Sequence, residues 1–263
     1  MALVTAARAS HGGDVQGSTC WLARSAALTP AGDDWLSPHE LAYTRAQRFT
    51  KRRDEFRIAR FTAKTAIAHT LGLPTDPATL RRIEVRHEPS GAPFPALDGE
   101  PLPWRVSLTD RADWAVCLLS NGPDRIGCDL ELVEARTDGF VADYLTAAEQ
   151  RIVHASTDPD HRALAANLIW SAKESALKVL TTGLRRDTRS VQVDLAPSGT
   201  GWQPLRVTAV EGITYPGWWC RFGEFVLTVA GADLIDTPTA LDDMLDAAVP
   251  SHDWLRRPLH SAH

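Results

Sequence analysis

The stretch Ile126-Gly-Cys-Asp-Leu-Glu-Leu132 (IGCDLEL) sets an apolar residue at every second position, with Ile126, Cys128, Leu130 and Leu132 in one series and Gly127, Asp129 and Glu131 in the other. Successive side chains of a strand point to opposite faces, so this is a half-buried strand. One face belongs to a core. The other presents two carboxylates beside a bare backbone. Neighbouring like charges repel, and a hard divalent cation such as Mg²⁺ would remove that cost by taking both as oxygen ligands. Taken alone, a D-x-E pair is more often a solvated face of an edge strand than a metal site.

Reading outward, WRVSL (104–108) and WAVCLLS (114–120) precede this strand as further strands, and TCWLARSAAL (19–28) suits an opening one. Between them, EPSGAPFPALDGEPLP (88–103) is dense in Pro and Gly and is expected to be loop. The segment from Ser37 to Gly72 has Ser37 as N-cap, Pro38 at the first helical position, Glu40 three after the cap and Gly72 as stop. It reads as one long helix, or two with a break near Phe49 or Thr50.

Beyond the central strand, TAAEQRIVHAS (146–156) and the stretch from Asp160 to Gly183 return to helical periodicity, with Gly183 as the stop. SVQVDL, LRVTAV, GWWCRF and EFVLTVAG follow as strands, and the tail past Thr237 is expected to be partly helical. The order helix, strands, helix, strands implies an α+β fold and is compatible with two related halves that have diverged beyond visible identity.

Two helix faces carry charge. In WSAKESALKVL (170–180), Ala165, Ile169, Ala172, Ala176 and Leu180 form a buried stripe, while Trp170, Glu174 and Lys178 align on the opposite side. Glu followed by Lys one turn on is an ordinary helix pair, but an exposed indole beside it is expensive surface and suits the wall of a charged pocket. On the first helix Arg53, Arg57, Arg60 and Lys64 form a basic ridge next to a buried face of Phe49, Phe56, Ala63 and Ile67. Such a ridge is either a solubilising face or a clamp for a phosphate-rich ligand.

Composition limits the classes. The 263 residues are 44% hydrophobic, enough for a sizeable core, and the net charge of −5 gives no general affinity for nucleic acid. Cys20, Cys117, Cys128 and Cys220 are widely spaced without a C-x-x-C pair, and no signal peptide or membrane span is visible. A soluble, cytoplasmic, monomeric protein with reduced thiols is expected.

In order and spacing, Gly127-Cys-Asp129-Leu-Glu131 and Trp170-Ser-Ala-Lys173-Glu174-Ser-Ala-Leu-Lys178 resemble the G-x-D-x-E and W-x-x-K-E-x-x-x-K motifs of the phosphopantetheinyl transferases, specifically the surfactin-synthetase type. The similarity extends from about Ser37 to about Ala230. It implies two pseudo-symmetric halves, each a helix packed on an antiparallel sheet, with a coenzyme A site in the cleft between them. The halves are expected at 1–120, on the nucleotide side, and 121–263, with the metal and the catalytic helix. The implied reaction moves 4′-phosphopantetheine from coenzyme A to a serine of an apo acyl or peptidyl carrier protein.

The resemblance further implies that Asp129, Glu131 and Glu174 hold Mg²⁺, or Mn²⁺ in its place. Glu174 is also the expected base and Lys178 the lysine assisting the leaving group. Arg45, Arg53, Arg57 and Lys173 are expected at coenzyme A, and Gly91 and Pro93 at a turn near the adenine, where Ala92 replaces a usual lysine. Glu149 matches a glutamate of the family's FF-x-x-x-E segment. Thr109-Asp110-Arg111 stands where the family shows S-H-S, so Thr109 and Arg111 are expected at the 3′-phosphate, with Asp110 orienting the arginine. Arg185 and Arg186 are assigned to an acidic carrier protein.

Two other classes share parts of this pattern. A Mg²⁺-dependent nuclease also clusters carboxylates with a lysine, and a non-catalytic binding module would carry the carboxylates as surface.

Overall fold

The structure, a computed structural model, describes residues 18–122, 124–181, 186–195 and 199–252. The first half runs β1 (Thr19–Ser25), α1 (Pro38–Ala46), α2 (Thr50–Thr70), α3 (Pro77–Arg82), β2 (Ile83–His87), β3 (Pro93–Leu97), β4 (Glu100–Pro101), β5 (Arg105–Arg111) and β6 (Trp114–Ser120). The second runs β7 (Ile126–Leu132), α4 (Asp138–Tyr144), α5 (Ala147–Ala155), α6 (Pro159–Val179), β8 (Val191–Leu195), β9 (Gln203–Ala209), β10 (Thr214–Phe222), β11 (Phe225–Gly231) and β12 (Thr239–Ala240).

Strands order as β12-β1-β6-β5 in one sheet, β7-β11-β10-β9-β8 in another and β2-β3-β4 in a small third, and every pairing is antiparallel except β1 with β12. Alternation along the strands sends Leu22, Cys117 and Leu119 to one face, against Ala63 and Ile67 of α2. Trp21, Val116 and Leu118 go to the other, where they meet Cys128, Leu130, Leu227 and Val229 of the second sheet. The far face of that sheet packs on Ile169, Ala172 and Ala176 of α6. The layers are therefore helix, sheet, sheet, helix, and the central strands β6 and β11 are buried at every position.

The halves repeat at one constant offset: α1 and α2 begin at 38 and 50 and end at 46 and 70, where α5 and α6 begin at 147 and 159 and end at 155 and 179. Ser37 and Thr146 are N-caps of complete capping boxes closed by Glu40 and Glu149. This repeat is geometric; few identical residues carry it, among them Glu40/Glu149, Ala63/Ala172 and Lys64/Lys173.

Several expectations change. The first helical segment is two helices, broken at 47–49, and the break turns Phe49 out to 70% exposure instead of into the core. Arg60 and Lys64 are buried rather than ridge: Lys64 pairs with Glu40 and donates to Trp35 O at 3.0 Å. α6 is buried far beyond its expected stripe, with Ser171, Lys173 and Ser175 also inaccessible. The Pro/Gly segment holds the β3–β4 hairpin, turned by Asp98 (φ 52°) and Gly99 (φ 87°). A D-G pair with both central residues at positive φ is the favoured two-residue hairpin turn. The tail is less helical than expected. Among its described residues it has a 3₁₀ turn at Met244–Ala247, and its strand β12 crosses back to β1 of the first sheet. Gly183 lies outside the described residues; α6 ends at Val179, with Thr181 at φ 56°.

Where the sheets adjoin, β7 is the edge of its own sheet, and its outward N–H groups need acceptors. Two hydroxyls of β5 provide them: Cys128 N donates to Ser107 Oγ at 3.0 Å and Leu130 N to Thr109 Oγ1 at 3.1 Å. Replacing both, as Ser107→Ala with Thr109→Val, is expected to cost about 2–6 kcal/mol, since each buried donor left alone costs about 1–3 kcal/mol. Urea unfolding of the double variant checks this.

Candidate active site

The seam between β5 and β7 is the floor of a cleft, and the close approach of α6 makes its wall. A Cβ on Gly127 would sit 2.0 Å from Ser175 O, so only glycine lets α6 lie this near the strand. Ser171 Oγ donates to Asp129 O at 3.0 Å and Ser175 Oγ to Thr228 O at 3.1 Å, which pins the helix down on β7 and β11. The face of β7 carrying Gly127, Asp129 and Glu131 is thereby brought under the helix positions of Trp170, Glu174 and Lys178.

Asp129 is buried, and its Oδ1 accepts from Thr109 Oγ1 at 3.2 Å and Lys178 Nζ at 3.0 Å. Lys178 also donates to Cys128 O at 2.7 Å. Burial alone would lower the lysine pKa, but Asp129, Cys128 and Glu174 together raise it, so it is held as the ammonium. Asp129 Oδ2 and Glu174 Oε1 are both buried without a hydrogen-bond partner among the described residues. Burial, with the charges of Asp129 and Glu131, pushes the Glu174 carboxyl up to about 7, and Lys178 only partly offsets them.

Glu131 is differently placed. Its Oε1 accepts from Trp170 Nε1 at 3.0 Å, and its Oε2 faces Arg136 Nη2 at 2.9 Å and Arg111 Nε at 3.1 Å. Burial and Asp129 raise its pKa against these arginines. Trp170 is half-buried, edge-on to Phe140 and Tyr144 at 5.2 and 5.1 Å between ring centres.

Two orphaned carboxylate oxygens in a buried setting fit a hard cation, which would satisfy both and relieve their repulsion. The expected set of three is not assembled: among the described residues no three of His, Cys, Asp and Glu stand together as metal ligands, and Glu131 is turned to Trp170 and the arginines. Asp129 and Glu174 are the residues that fit.

Above this floor opens a cavity of about 670 Å³ lined by both halves. Arg60 of α2, Arg105 of β5, Arg125 and Lys178 line it together with Glu88, His87 and the 90–93 turn; Arg105 pairs with Glu88 and Arg60 with Glu40, each at 3.8 Å, so the lining is positive on balance. Gly91 and Pro93 line the cleft, Gly91 at φ 89°.

The other expected ligand contacts are dispersed. Arg45 is exposed on the last turn of α1, and Arg53 donates to Thr50 Oγ1 at 3.1 Å. Arg57 is turned from the cleft: it pairs with Asp33, donates to Pro30 O and Gly32 O and lies over the Trp35 ring. Lys173 is 0% exposed, bound to Glu149 Oε2 at 2.7 Å, Thr188 O at 3.0 Å and Val191 O at 2.8 Å, so no ligand in the cleft reaches it.

Arg111 does not line the cleft. It pairs with Glu131 and with Glu134 at 2.5 Å, and no bond joins it to Asp110. The two hydroxyls of the seam are Ser107 and Thr109, and the residue between them, Leu108, faces the cavity. The hydroxyls that meet β7 are thus those of Ser107 and Thr109, whereas Arg111 at the end of β5 is turned to Glu131 and Glu134. Arg186 is bound to Glu211 and Ser190, and Arg185 lies outside the described residues. Sequence reading missed Arg105 and Arg125 altogether, because isolated arginines on separate strands have no local pattern.

Comparison with known proteins agrees with this geometry. Residues 125–230, from just before β7 to β11, match the family model described as the 4′-phosphopantetheinyl transferase superfamily. A holo-[acyl-carrier-protein] synthase of Cupriavidus necator is 39% identical over 92 residues, covering 31% of this chain and 66% of that protein. A holo-[acyl-carrier-protein] synthase of Burkholderia pseudomallei is 32% identical over 103 residues, covering 35% of this chain and 72% of that protein. With the motif strand and the motif helix both inside the matched region, the chain belongs to the 4′-phosphopantetheinyl transferase superfamily.

Proposed function

We propose that the chain transfers the 4′-phosphopantetheine group of coenzyme A to a serine hydroxyl of an apo acyl or peptidyl carrier protein, as a transferase of the surfactin-synthetase type. The observation that carries this is the pair of orphaned oxygens on Asp129 and Glu174, joined through Lys178, which binds Asp129 Oδ1 at 3.0 Å, to a cavity lined by cations. A polyanion of two linked phosphates and a further phosphate needs both: positive side chains along its length, and a counter-charge at the anhydride that reacts.

In this reading Arg60, Arg105 and Arg125 hold the phosphates of coenzyme A, and the 90–93 turn borders its nucleotide end. Asp129 and Glu174 would hold Mg²⁺, which when bound neutralises charge on the pyrophosphate. Glu174 accepts the proton of the carrier serine as the serine oxygen attacks the phosphorus. The anhydride P–O bond breaks, and adenosine 3′,5′-bisphosphate leaves with its new charge facing the ammonium of Lys178. Both halves of a single chain line the cleft, which supports action as a monomer. Among the described residues no helix is long and apolar enough to cross a membrane.

The test is intact-mass measurement of a purified apo carrier protein after incubation with the chain, coenzyme A and Mg²⁺. A gain of one phosphopantetheine, lost on adding chelator, is expected. Coenzyme A binding unaffected by chelator, with no mass gain on acyl or peptidyl carriers, would instead identify a binding module.

A further inference from the structure

The buried lysine of the motif helix has no task in the chemistry above, yet the same arrangement occurs twice. In each half the glutamate that closes a capping box, Glu40 or Glu149, also pairs with a lysine of the next long helix, Lys64 or Lys173. Both lysines are 0% exposed, both donate to backbone carbonyls, and the positions keep one offset: 37 to 146, 40 to 149 and 64 to 173.

What surrounds the pair differs between the halves. At the same offset, Glu174 corresponds to Thr65 and Lys178 to His69, so the first half keeps the pair without the reactive residues. Ser171 and Ser175, which bind α6 to β7 and β11, correspond to Thr62, bonded within its own helix to Ile58 O, and to Ala66.

We infer that the Glu149–Lys173 pair is a positioning device for Glu174: it fixes the rotation of α6 about its own axis. Lys173 and Glu174 are neighbours, so their side chains leave the helix about 100° apart, from the 3.6-residue turn. One is anchored to α5 through Glu149 and to the start of β8 through Thr188 O and Val191 O; the other is thereby aimed at Asp129. The serines fix the helix on its sheet side, and the ion pair fixes it on the opposite flank. A buried charge pair contributes little net stability against apolar residues of similar volume, whereas it specifies one geometry through its directed bonds.

This rests on the transferase reading, and the experiment separates the two. Glu149→Gln with Lys173→Met removes both charges, so none is left alone, and glutamine keeps an acceptor for the Thr146 N–H. Glu40→Gln with Lys64→Met is the matched control in the half without Glu174. Tm, kcat and KM for coenzyme A are measured for both and for the wild type. The second-half variant is expected to lose at least about tenfold in kcat with KM within about twofold, since displacing a reacting group by about 1 Å costs up to about a hundredfold. The control, with a similar Tm change, is expected to keep kcat within about twofold of wild type and to show any effect in KM, as its helix carries the phosphate-binding Arg60, 3.8 Å from Glu40, but no reacting group.

Equal losses of kcat in the two variants, or a loss that only follows Tm, would overturn the positioning role. Should the double variant not fold, Glu149→Asp, which keeps the charge and shortens the reach, is expected to show the same split between kcat and KM; an unchanged kcat would overturn the proposal. A wild-type chain with no transfer removes the transferase reading itself, and this proposal with it.

Discussion

Glu174→Gln is expected to lower transfer by about 10²–10⁴-fold, the range for loss of a positioned general base. Glutamine is nearly isosteric and keeps the fold, so the variant isolates the charge and proton affinity of this carboxylate. Removing its charge relieves repulsion with Asp129 and Glu131, and the variant is therefore expected to be at least as stable as wild type. Loss of rate without loss of stability is what separates a reacting group from a structural one. Single-turnover mass measurement of the carrier, together with a urea melt, checks both halves of the expectation. A variant with near wild-type rate would remove Glu174 as the base.

Gly127→Ala is expected to damage the fold and the site together. Its Cβ would lie 2.0 Å from Ser175 O and 3.0 Å from Lys178 Cβ, and the first of these is backbone of α6, not a mobile side-chain end. The helix must move or the strand must bend. Either shift separates Glu174 and Lys178 from Asp129. Overpacking of this kind costs about 1–3 kcal/mol or more, and the lost register is expected to take transfer down by at least about a hundredfold. Thermal unfolding and the same carrier assay measure the two effects. Unchanged activity would mean that α6 is held by something other than its seat on β7.

The two variants test different links in one chain of cause. Glu174→Gln removes a proton acceptor from an intact site, whereas Gly127→Ala leaves every reacting group present and misplaces them. Their stabilities are expected to diverge although their activities both fall.

Much of the frame was legible in the amino-acid order. The alternation of IGCDLEL named the strand and both its faces, and the capping pattern at Ser37 and Glu40 began a helix where one begins. These signals are local: a period of two or of 3.6 residues, or a side chain returning to its own backbone. The motif strand and motif helix likewise identified Asp129, Glu174 and Lys178, which the fold does bring together.

What only the tertiary structure decided concerns charges whose partners are distant in the chain. Lys64, Arg57 and Lys173 looked alike as cations available to a phosphate, yet each is spent on a partner from another element, and two of them are buried outright. Arg105 and Arg125 looked incidental but line the cleft. The repeat of the two halves was nearly invisible as identity and plain as geometry, since helix ends, caps and one ion pair keep their offsets while the side chains between them changed. Periodicity assigns a side chain to a face; the long-range packing of strands and helices determines what that face meets, and with it whether a charge binds a ligand or another residue of the same protein.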